Sequence, residues 1–345
     1  MLKQISLLIL CAAAIVWFAT PVQACTSAVV SGKVTPDGRP LLWKNRDTDF
    51  MQNHIDYVKG EKYNFIAVVN SANAYLKEAW MGTNSSGFAL MNTQSYNLVD
   101  VKGDEERGAA NGRVIYRALE VCATVEDFCH FLDTISKPSD IEANFGVIDA
   151  QGGAAMFEVD YHKYVMYDAN NPKDAPYGYI ARTNFSFAGK VNEGAGYVRY
   201  MEADQVLMKA SATGSITPQF IFNDLSRSFR NRMLDIDLRS GAYNRPQASG
   251  WFVDQDFIPR SSTSCSVVVQ GVKPGEKAEL TTMWTLLGYP PTGIAVPLWV
   301  KDAGKLLPGM VRFGKEYEAA LLSDWSLRLA DRVFSYKQGM GTGRY

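Results

Sequence analysis

The alternation of apolar and polar positions predicts a strand-rich start to the folded chain. Residues 25–32 (CTSAVVSG) lead into a turn at 35–38, and residues 39–47 (RPLLWKNRD) follow, which together predict a β-hairpin. Two later apolar runs with polar flanks, 64–70 and 87–97, predict two more strands. The first part of the chain is therefore predicted to be mainly β.

The spacing of apolar positions then changes from strand-like to helical. Residues 111–122 repeat apolar positions at helical intervals, and a second helix is predicted over 125–135, with Thr124 as its N-cap. The same spacing predicts three more helices, at 196–211, 217–231 and 314–334. Thr217 and Pro218 open the second of these, because proline is tolerated in the first helical turn.

A second block of strands follows the first pair of helices. Four runs predict a meander of consecutive strands that ends near Phe185, at 144–150, 154–160, 163–168 and 178–185. A further hairpin is predicted from 263–271 and 278–286. The order of elements lacks the regular βαβ alternation of a parallel sheet. We therefore predict an α+β fold in which two antiparallel sheets pack together with helices outside, as a single domain over 25–345.

Residues 1–24 have the pattern of a secretory signal peptide. Lys3 precedes an apolar stretch, and short side chains end the segment at Ala24. Cleavage after Ala24 would leave Cys25 as the first residue of an exported protein, periplasmic or extracellular. No other apolar run approaches the ~20 residues of a membrane span, so none is expected.

Composition narrows the function classes. A formal net charge of −1 argues against nucleic-acid binding, and 47% hydrophobic residues argue against a disordered chain. Five cysteines are too few for a disulfide scaffold in a chain this long, and Cys122 and Cys129 either pair or are two buried apolar side chains. The histidines, His54, His130 and His162, have no metal-ligand spacing. We expect neither a metal nor a cofactor.

Cys25 carries the strongest chemical signal in the sequence. A cysteine at a free N-terminus has a thiol and an α-amine, so one residue supplies both a nucleophile and a general base. The α-amine has a reference pKa of about 7.7–8.0, which suits proton transfer near neutral pH. The expected chemistry is acyl transfer through a thioester.

The surroundings of Cys25 resemble the N-terminal-nucleophile (Ntn) hydrolases. The resemblance is carried by Cys25 with Thr26-Ser27-Ala28, by Asp47 within Lys44-Asn45-Arg46-Asp47, and by three later motifs, at 82–88, 182–184 and 263–269. Within these enzymes the chain is most similar to the group of choloylglycine hydrolase, penicillin V acylase and acyl-CoA:6-aminopenicillanate acyltransferase. The resemblance implies an Ntn αββα sandwich.

The resemblance also implies roles for the charged residues. Cys25 would be the nucleophile, and Asp47 would hold its amine. Lys44 stands where relatives have an arginine, and Arg46 is the alternative source of that positive charge. Arg260 would match a late arginine near the active site.

Two asparagines are implied as donors to the oxyanion. Asn184 matches the first. Asn92 is the candidate for the second, with Asn97 as the alternative, because the spacing after Gly87 departs from the family pattern. Without the resemblance these residues would be read as ordinary turn or strand-end residues.

The sequence thus predicts a secreted amidohydrolase that cleaves a linear, non-peptide C–N amide bond in a small acyl-amide substrate. An acyltransferase of the same family is one alternative. A binding lipoprotein without catalysis, lipidated on Cys25, is the other, since lipidation would remove both thiol and amine. The resemblance leaves open whether the protein forms a homo-oligomer.

Overall fold

Two antiparallel sheets form the middle of the fold in the computed structural model, which describes residues 24–99, 108–240, 251–337 and 342–344. Residues 1–23 of the predicted signal peptide lie outside the described residues. The first ten strands are β1 Cys25–Val30, β2 Leu41–Asp47, β3 Asn53–Val58, β4 Phe65–Asn70, β5 Met81–Asn84, β6 Ala89–Gln94, β7 Ala143–Ile148, β8 Ala154–Val159, β9 Tyr164–Asp168 and β10 Tyr179–Arg182.

The later strands include several short pairs. They are β11 Arg230–Asn231, β12 Ile236–Asp237, β13 Trp251–Val253, β14 Thr263–Gln270, β15 Thr282–Leu287, β16 Ala295–Leu298, β17 Phe313–Gly314, β18 Ala319–Ala320, β19 Ser335–Lys337 and β20 Thr342–Arg344. The α-helices are α1 Asn111–Val121, α2 Val125–Thr134, α3 Tyr197–Ala212, α4 Pro218–Phe220, α5 Ala303–Leu306 and α6 Leu321–Val333. A π-helical turn, Ile221–Leu225, continues α4.

The two large sheets stack face to face between layers of helix. One has the strand order β10-β1-β2-β14-β15-β16, and the other runs β3-β4-β5-β6-β7-β8-β9. Side chains such as Val29, Leu42 and Met156 fill the space between the sheets. Strands β1 and β2 lie against β6 and β7 across this space. Gly146 of β7 permits the close approach, because a Cβ there would overlap Val29 and Leu42.

Each sheet buries its outer face under helices. Helices α1 and α2 cover the seven-stranded sheet, with Ile115 and Phe128 in that core. Helix α3 covers the six-stranded sheet, with Leu207 packed near Trp43. The layer order is helix, sheet, sheet, helix, and both sheets are antiparallel. The predicted αββα sandwich is confirmed.

Several predicted elements agree closely with the structure. Strands β1 and β2 form the predicted hairpin, and β14 pairs with β15 as the second predicted hairpin. Thr124 caps α2: its hydroxyl accepts from the Asp127 N–H, and Asp127 closes the capping box. Cys122 and Cys129 are free thiols, so they are not paired with each other.

The predicted four-stranded meander is wrong in its last strand. Strands β7, β8 and β9 form consecutive pairs, but β10 leaves that sheet and pairs with β1 of the other. The backbone crosses between the sheets just before β10, where the Ser31 N–H donates to the Gly178 carbonyl. This crossing carries residue 184 to the start of β1.

Two predicted helices are shorter than expected. The helix predicted at 217–231 ends at Leu225, because the chain is drawn to the sheet at Ser226, whose hydroxyl and carbonyl accept from Trp43 and Asn45. The helix predicted at 314–334 begins only at Leu321. Before it, the β17–β18 hairpin turns through Glu318 at a φ of 52°. The strands that were not predicted are β3, β5, β11, β12, β13 and β16 to β20.

Candidate active site

Cys25 is the first residue of β1 and lies at one end of the space between the sheets. It is 7% exposed. Arg46 on β2 is its direct partner in register, and Cys265 on β14 is the partner of Arg46 on the other side. Directly opposed residues of an antiparallel ladder point to the same face. The three side chains therefore share the inner face of the sheet.

Asn184 holds the backbone nitrogen of Cys25. Its Oδ1 accepts from the Cys25 nitrogen at 3.0 Å and from Arg199 Nη2 at 2.9 Å, and its Nδ2 donates to the Gln94 carbonyl at 2.8 Å. Ala24 still precedes Cys25 in the described chain and is itself buried. In this arrangement Asn184 contacts the nucleophile through its oxygen, the atom that would hold an α-amine.

Arg199 was not among the residues singled out from the sequence. It lies on α3, 1% exposed, and its Nη1 donates to the Cys25 carbonyl at 2.8 Å and to Thr26 Oγ1 at 2.9 Å. Burial lowers the pKa of Arg199 to about 10, with the charge of Arg260 as the second cause, so it stays protonated at neutral pH. Gly196, at a φ of 86°, leaves room for this guanidinium.

Asp47 and Arg260 form a buried ion pair on the outer side of the sheet. Arg260 Nε donates to Asp47 Oδ2 at 2.8 Å, and Thr263 Oγ1 donates to Asp47 Oδ1 at 2.6 Å. A bulge between Thr263 and Cys265 puts Thr263 opposite Asp47. Burial raises the pKa of the Asp47 carboxyl, and the Arg260 charge opposes that shift. The Asp47 carbonyl lies 3.9 Å from Cys25 Sγ.

Lys44 and Asn92 meet between the two sheets. Lys44 Nζ donates to Asn92 Oδ1 at 2.9 Å and to the Trp80 carbonyl at 3.1 Å. Burial lowers the pKa of Lys44, while negative charge on Cys25 opposes this. Asn92 Nδ2 has no hydrogen-bond partner among the described residues, which leaves it available as a donor.

Arg46, the register partner of Cys25, and Asn97, on the loop after β6, have different surroundings. Arg46 donates to the side-chain oxygens of Asn53 at 2.6 Å and Asn70 at 2.7 Å, and its guanidinium lies over the Trp80 ring. Asn97 Nδ2 donates to two backbone carbonyls, those of Ser186 and Lys190. Both amide hydrogens of Asn97 are thus engaged in holding a loop.

Tyr96 is a second nearby residue that the sequence did not indicate. Burial raises its pKa, and negative charge on Cys25 adds to the effect, while Arg260 and Arg199 oppose it. A single tyrosine after a strand gives no pattern by which to find it. Of the predicted site residues, Asn184, the Asp47 carbonyl and Arg46 contact or directly face Cys25, while Asn92 is linked to Lys44 and Arg260 to Asp47. The structure adds Arg199 and Tyr96, and the catalytic roles of all these residues remain predictions.

Two cavities in the described part of the chain have linings that do not include Cys25. One of about 620 Å³ lies at the opposite end of the sheets, near Tyr57 and Lys301. The other, of about 450 Å³, lies beside α3. No group of three His, Cys, Asp or Glu in the described residues could hold a metal ion. No described helix is both long and apolar enough to cross a membrane.

The sequence profile of a family described as acyl-coenzyme A:6-aminopenicillanic acid acyl-transferase matches residues 34–211, more than half of the chain. The chain belongs to this family. The matched segment of the acyl-transferase family includes Lys44, Asp47, Asn92 and Asn184, while Cys25 lies just before it. The predicted membership of the Ntn group is confirmed.

Several solved structures are similar to this member of the acyl-transferase family. A variant of conjugated bile acid hydrolase from Clostridium perfringens is 13% identical, covering 81% of this chain and 93% of its own, with a TM-score of 0.47. Penicillin V acylase from Agrobacterium tumefaciens is 15% identical, covering 81% and 86%, with a TM-score of 0.42. No curated protein sequence matches significantly. The fold assignment rests on the sheet topology itself.

Proposed function

We propose that the protein is an exported amidohydrolase whose N-terminal nucleophile is Cys25. The observation that carries the proposal is the Cys25–Asn184 contact: the nitrogen that cleavage after Ala24 would convert to an α-amine is already held, at 3.0 Å, by a buried side-chain oxygen. An amine fixed beside its own thiol can take the thiol proton and later return it.

The charges around Cys25 support acyl transfer. Arg46 and Lys44 are buried cations on the inner face, where they oppose the negative charge of an attacking thiolate. Asn92 Nδ2 is an available donor for the oxyanion that forms on the attacked carbonyl. Cys25 Sγ would bond to the carbonyl carbon as the C–N bond breaks, and the thiol proton would leave with the amine. Water would then hydrolyse the thioester to a carboxylic acid.

The substrate class follows by analogy with relatives. Two similar structures are named for the hydrolysis of conjugated bile acids and for the acylase reaction on penicillin V. We propose a linear, non-peptide amide of a small acyl group as substrate for this chain. The activity for which the acyl-transferase family is named also favours a second candidate, acyl transfer to an amine. Added amine acceptor would yield a new amide if that candidate holds.

The alternative of a lipid-modified Cys25 is less well supported. A lipid anchor needs the thiol outside the fold, whereas Cys25 is 7% exposed and lies within a paired strand. The intact mass of the exported protein separates the two: a free Cys25 terminus supports the nucleophile, and a heavier, blocked terminus would overturn it.

The catalytic test compares Cys25→Ala with Cys265→Ser. Both cysteines are register partners of Arg46, so Cys265→Ser is a matched control for loss of a buried thiol. Purified proteins would be assayed with a panel of acyl amides, and the quenched reaction searched by mass spectrometry for an acyl group on Cys25. We expect Cys25→Ala to fold without turnover and Cys265→Ser to remain active. Full turnover in folded Cys25→Ala would refute the nucleophile.

A further inference from the structure

Two polar side chains of the seven-stranded sheet lie beneath the segment that carries Asn184. Asn144 on β7 and Glu158 on β8 are direct partners in register. They are 0% and 1% exposed. Polar groups this deeply buried destabilise a fold unless they are hydrogen-bonded. Nearly all of their partners lie in one short stretch, residues 182–188.

Glu158 ties together the two ends of that stretch. Its Oε1 accepts from Arg182 Nε at 2.7 Å and from the Phe187 N–H at 2.8 Å, and its Oε2 accepts from the Ala188 N–H at 2.7 Å. The Arg182 guanidinium also lies 3.9 Å from the centre of the Phe187 ring. One carboxylate therefore fixes the chain before and after Asn184.

Asn144 holds the backbone immediately on either side of Asn184. Its Nδ2 donates to the Thr183 carbonyl at 3.2 Å and to the Phe185 carbonyl at 3.1 Å. Its Oδ1 accepts from Ser186 Oγ at 2.6 Å. The carbonyls of the residues before and after Asn184 are thus bound to one side chain.

We propose that Asn144 and Glu158 are positioning residues that set Asn184 against Cys25; the inference rests on the proposed function of Cys25. Neither side chain has a hydrogen bond to Cys25 among the described residues, so each acts through the backbone of 182–188. A displacement of about 1 Å at a reacting group can slow catalysis by about 100-fold. Asn144 and Glu158, here called the clamp, thereby keep the Asn184 oxygen against the Cys25 nitrogen.

The variants are Asn144→Ala and Glu158→Gln, with Asp160→Asn as the matched control. Asp160, directly after β8, also accepts hydrogen bonds from two backbone N–H groups, those of His162 and Lys163, but in a turn that does not contain Asn184. We expect both clamp variants to lose about 10- to 100-fold in kcat with little change in KM. Asp160→Asn should keep wild-type kcat.

A double-mutant cycle separates positioning from general loss of stability. If Asn144 acts through Asn184, then Asn144→Ala should add little to the loss already caused by Asn184→Ala. Fully multiplicative losses in kcat would overturn the proposal, as would wild-type kcat in either folded clamp variant. Glu158→Gln could fail to fold because it leaves Arg182 without its ion-pair partner. In that case Asn144→Ala and Ser186→Ala still test the proposal, and the expected loss of kcat is smaller for Ser186→Ala.

Thiol alkylation distinguishes failure of this inference from failure of the proposed function. The rate at which iodoacetamide alkylates Cys25 depends on proton removal by its own amine and needs no substrate. If the wild type cleaves no amide, a slower alkylation in both clamp variants, with Asp160→Asn unchanged, still supports positioning. Unchanged alkylation in the folded clamp variants would overturn it.

Discussion

Arg46 lies directly opposite Cys25 on the neighbouring strand and is held there by two neutral amide oxygens, those of Asn53 and Asn70. The resulting charge is fixed in place and is not neutralised by these partners. We predict that Arg46→Gln slows alkylation of Cys25 at neutral pH by about tenfold or more, because loss of a neighbouring positive charge disfavours the thiolate.

Lys44→Gln provides the comparison for Arg46→Gln. Lys44 stands two register pairs farther along the strands, opposite Ser27, so its removal should slow alkylation less. Alkylation rates by mass spectrometry check both variants. A larger effect of Lys44→Gln would assign the positive charge to Lys44 and contradict the prediction.

The alkaline limb of the pH profile of kcat/KM should reflect the loss of the Lys44 charge. Burial lowers the pKa of Lys44. A lysine is charged only below its pKa. With a lowered pKa, Lys44 loses its positive charge at a less alkaline pH than an ordinary lysine does. An arginine stays charged throughout. We predict that Lys44→Arg moves the alkaline limb of the kcat/KM profile to higher pH; coincident alkaline limbs would show that Lys44 does not control it.

Asn92 and Asn97 should differ in what their removal affects. Asn92 Nδ2 is available as a donor, so Asn92→Ala should lower kcat by about 100- to 1000-fold, the usual cost of one oxyanion donor. Both hydrogens of Asn97 Nδ2 bind loop carbonyls, so Asn97→Ala should mainly lower the free energy of unfolding, by about 1–3 kcal/mol. Steady-state kinetics and urea unfolding of both variants test the pair. The opposite pattern would transfer the donor role to Asn97.

The Asp47–Arg260 pair should behave as a buried ion pair. Asp47→Asn leaves Arg260 buried with its Nη2 already lacking a hydrogen-bond partner among the described residues, and should cost about 3–5 kcal/mol in unfolding free energy. The double variant Asp47→Asn/Arg260→Met removes both charges and should recover part of that loss. Equal stabilities of the single and double variants, measured by urea denaturation, would contradict this account.

The parts of the fold with strong local signals were predictable. The hairpins have clear turn residues between apolar runs, and Thr124 with Asp127 forms a capping box that can be read from spacing alone. Strand β5, Met81–Asn84, has only four residues and includes a glycine, so its pairing comes from neighbouring strands instead of its own pattern. The sheet that β10 joins depends on long-range packing, which periodicity does not report.

The site residues show the same contrast between local sequence signals and long-range packing. Cys25 was evident from its position after the predicted signal peptide, and Asp47, Asn92 and Asn184 came from motif resemblance. Arg199 was missed because arginine on a helix usually lies in solvent, and nothing local indicates that α3 turns this one inward. The sequence also could not decide whether Lys44 or Arg46 supplies the positive charge near Cys25, because both are cations, buried on the same face of β2.

The bulge at Ser264 makes the geometry of the site depend on the number of residues between Arg260 and Cys265. Between Arg260, which binds Asp47, and Cys265, which returns to regular pairing with Arg46, one extra residue re-aims Thr263 at the carboxylate. Removing that residue would abolish the bulge that turns Thr263 toward Asp47, and adding a residue would shift the upstream register by one and turn its side chains to the other face. In this segment, insertions and deletions would therefore be more damaging than most substitutions, and the count of residues from 260 to 265 is itself a diagnostic feature when other chains are compared with this one.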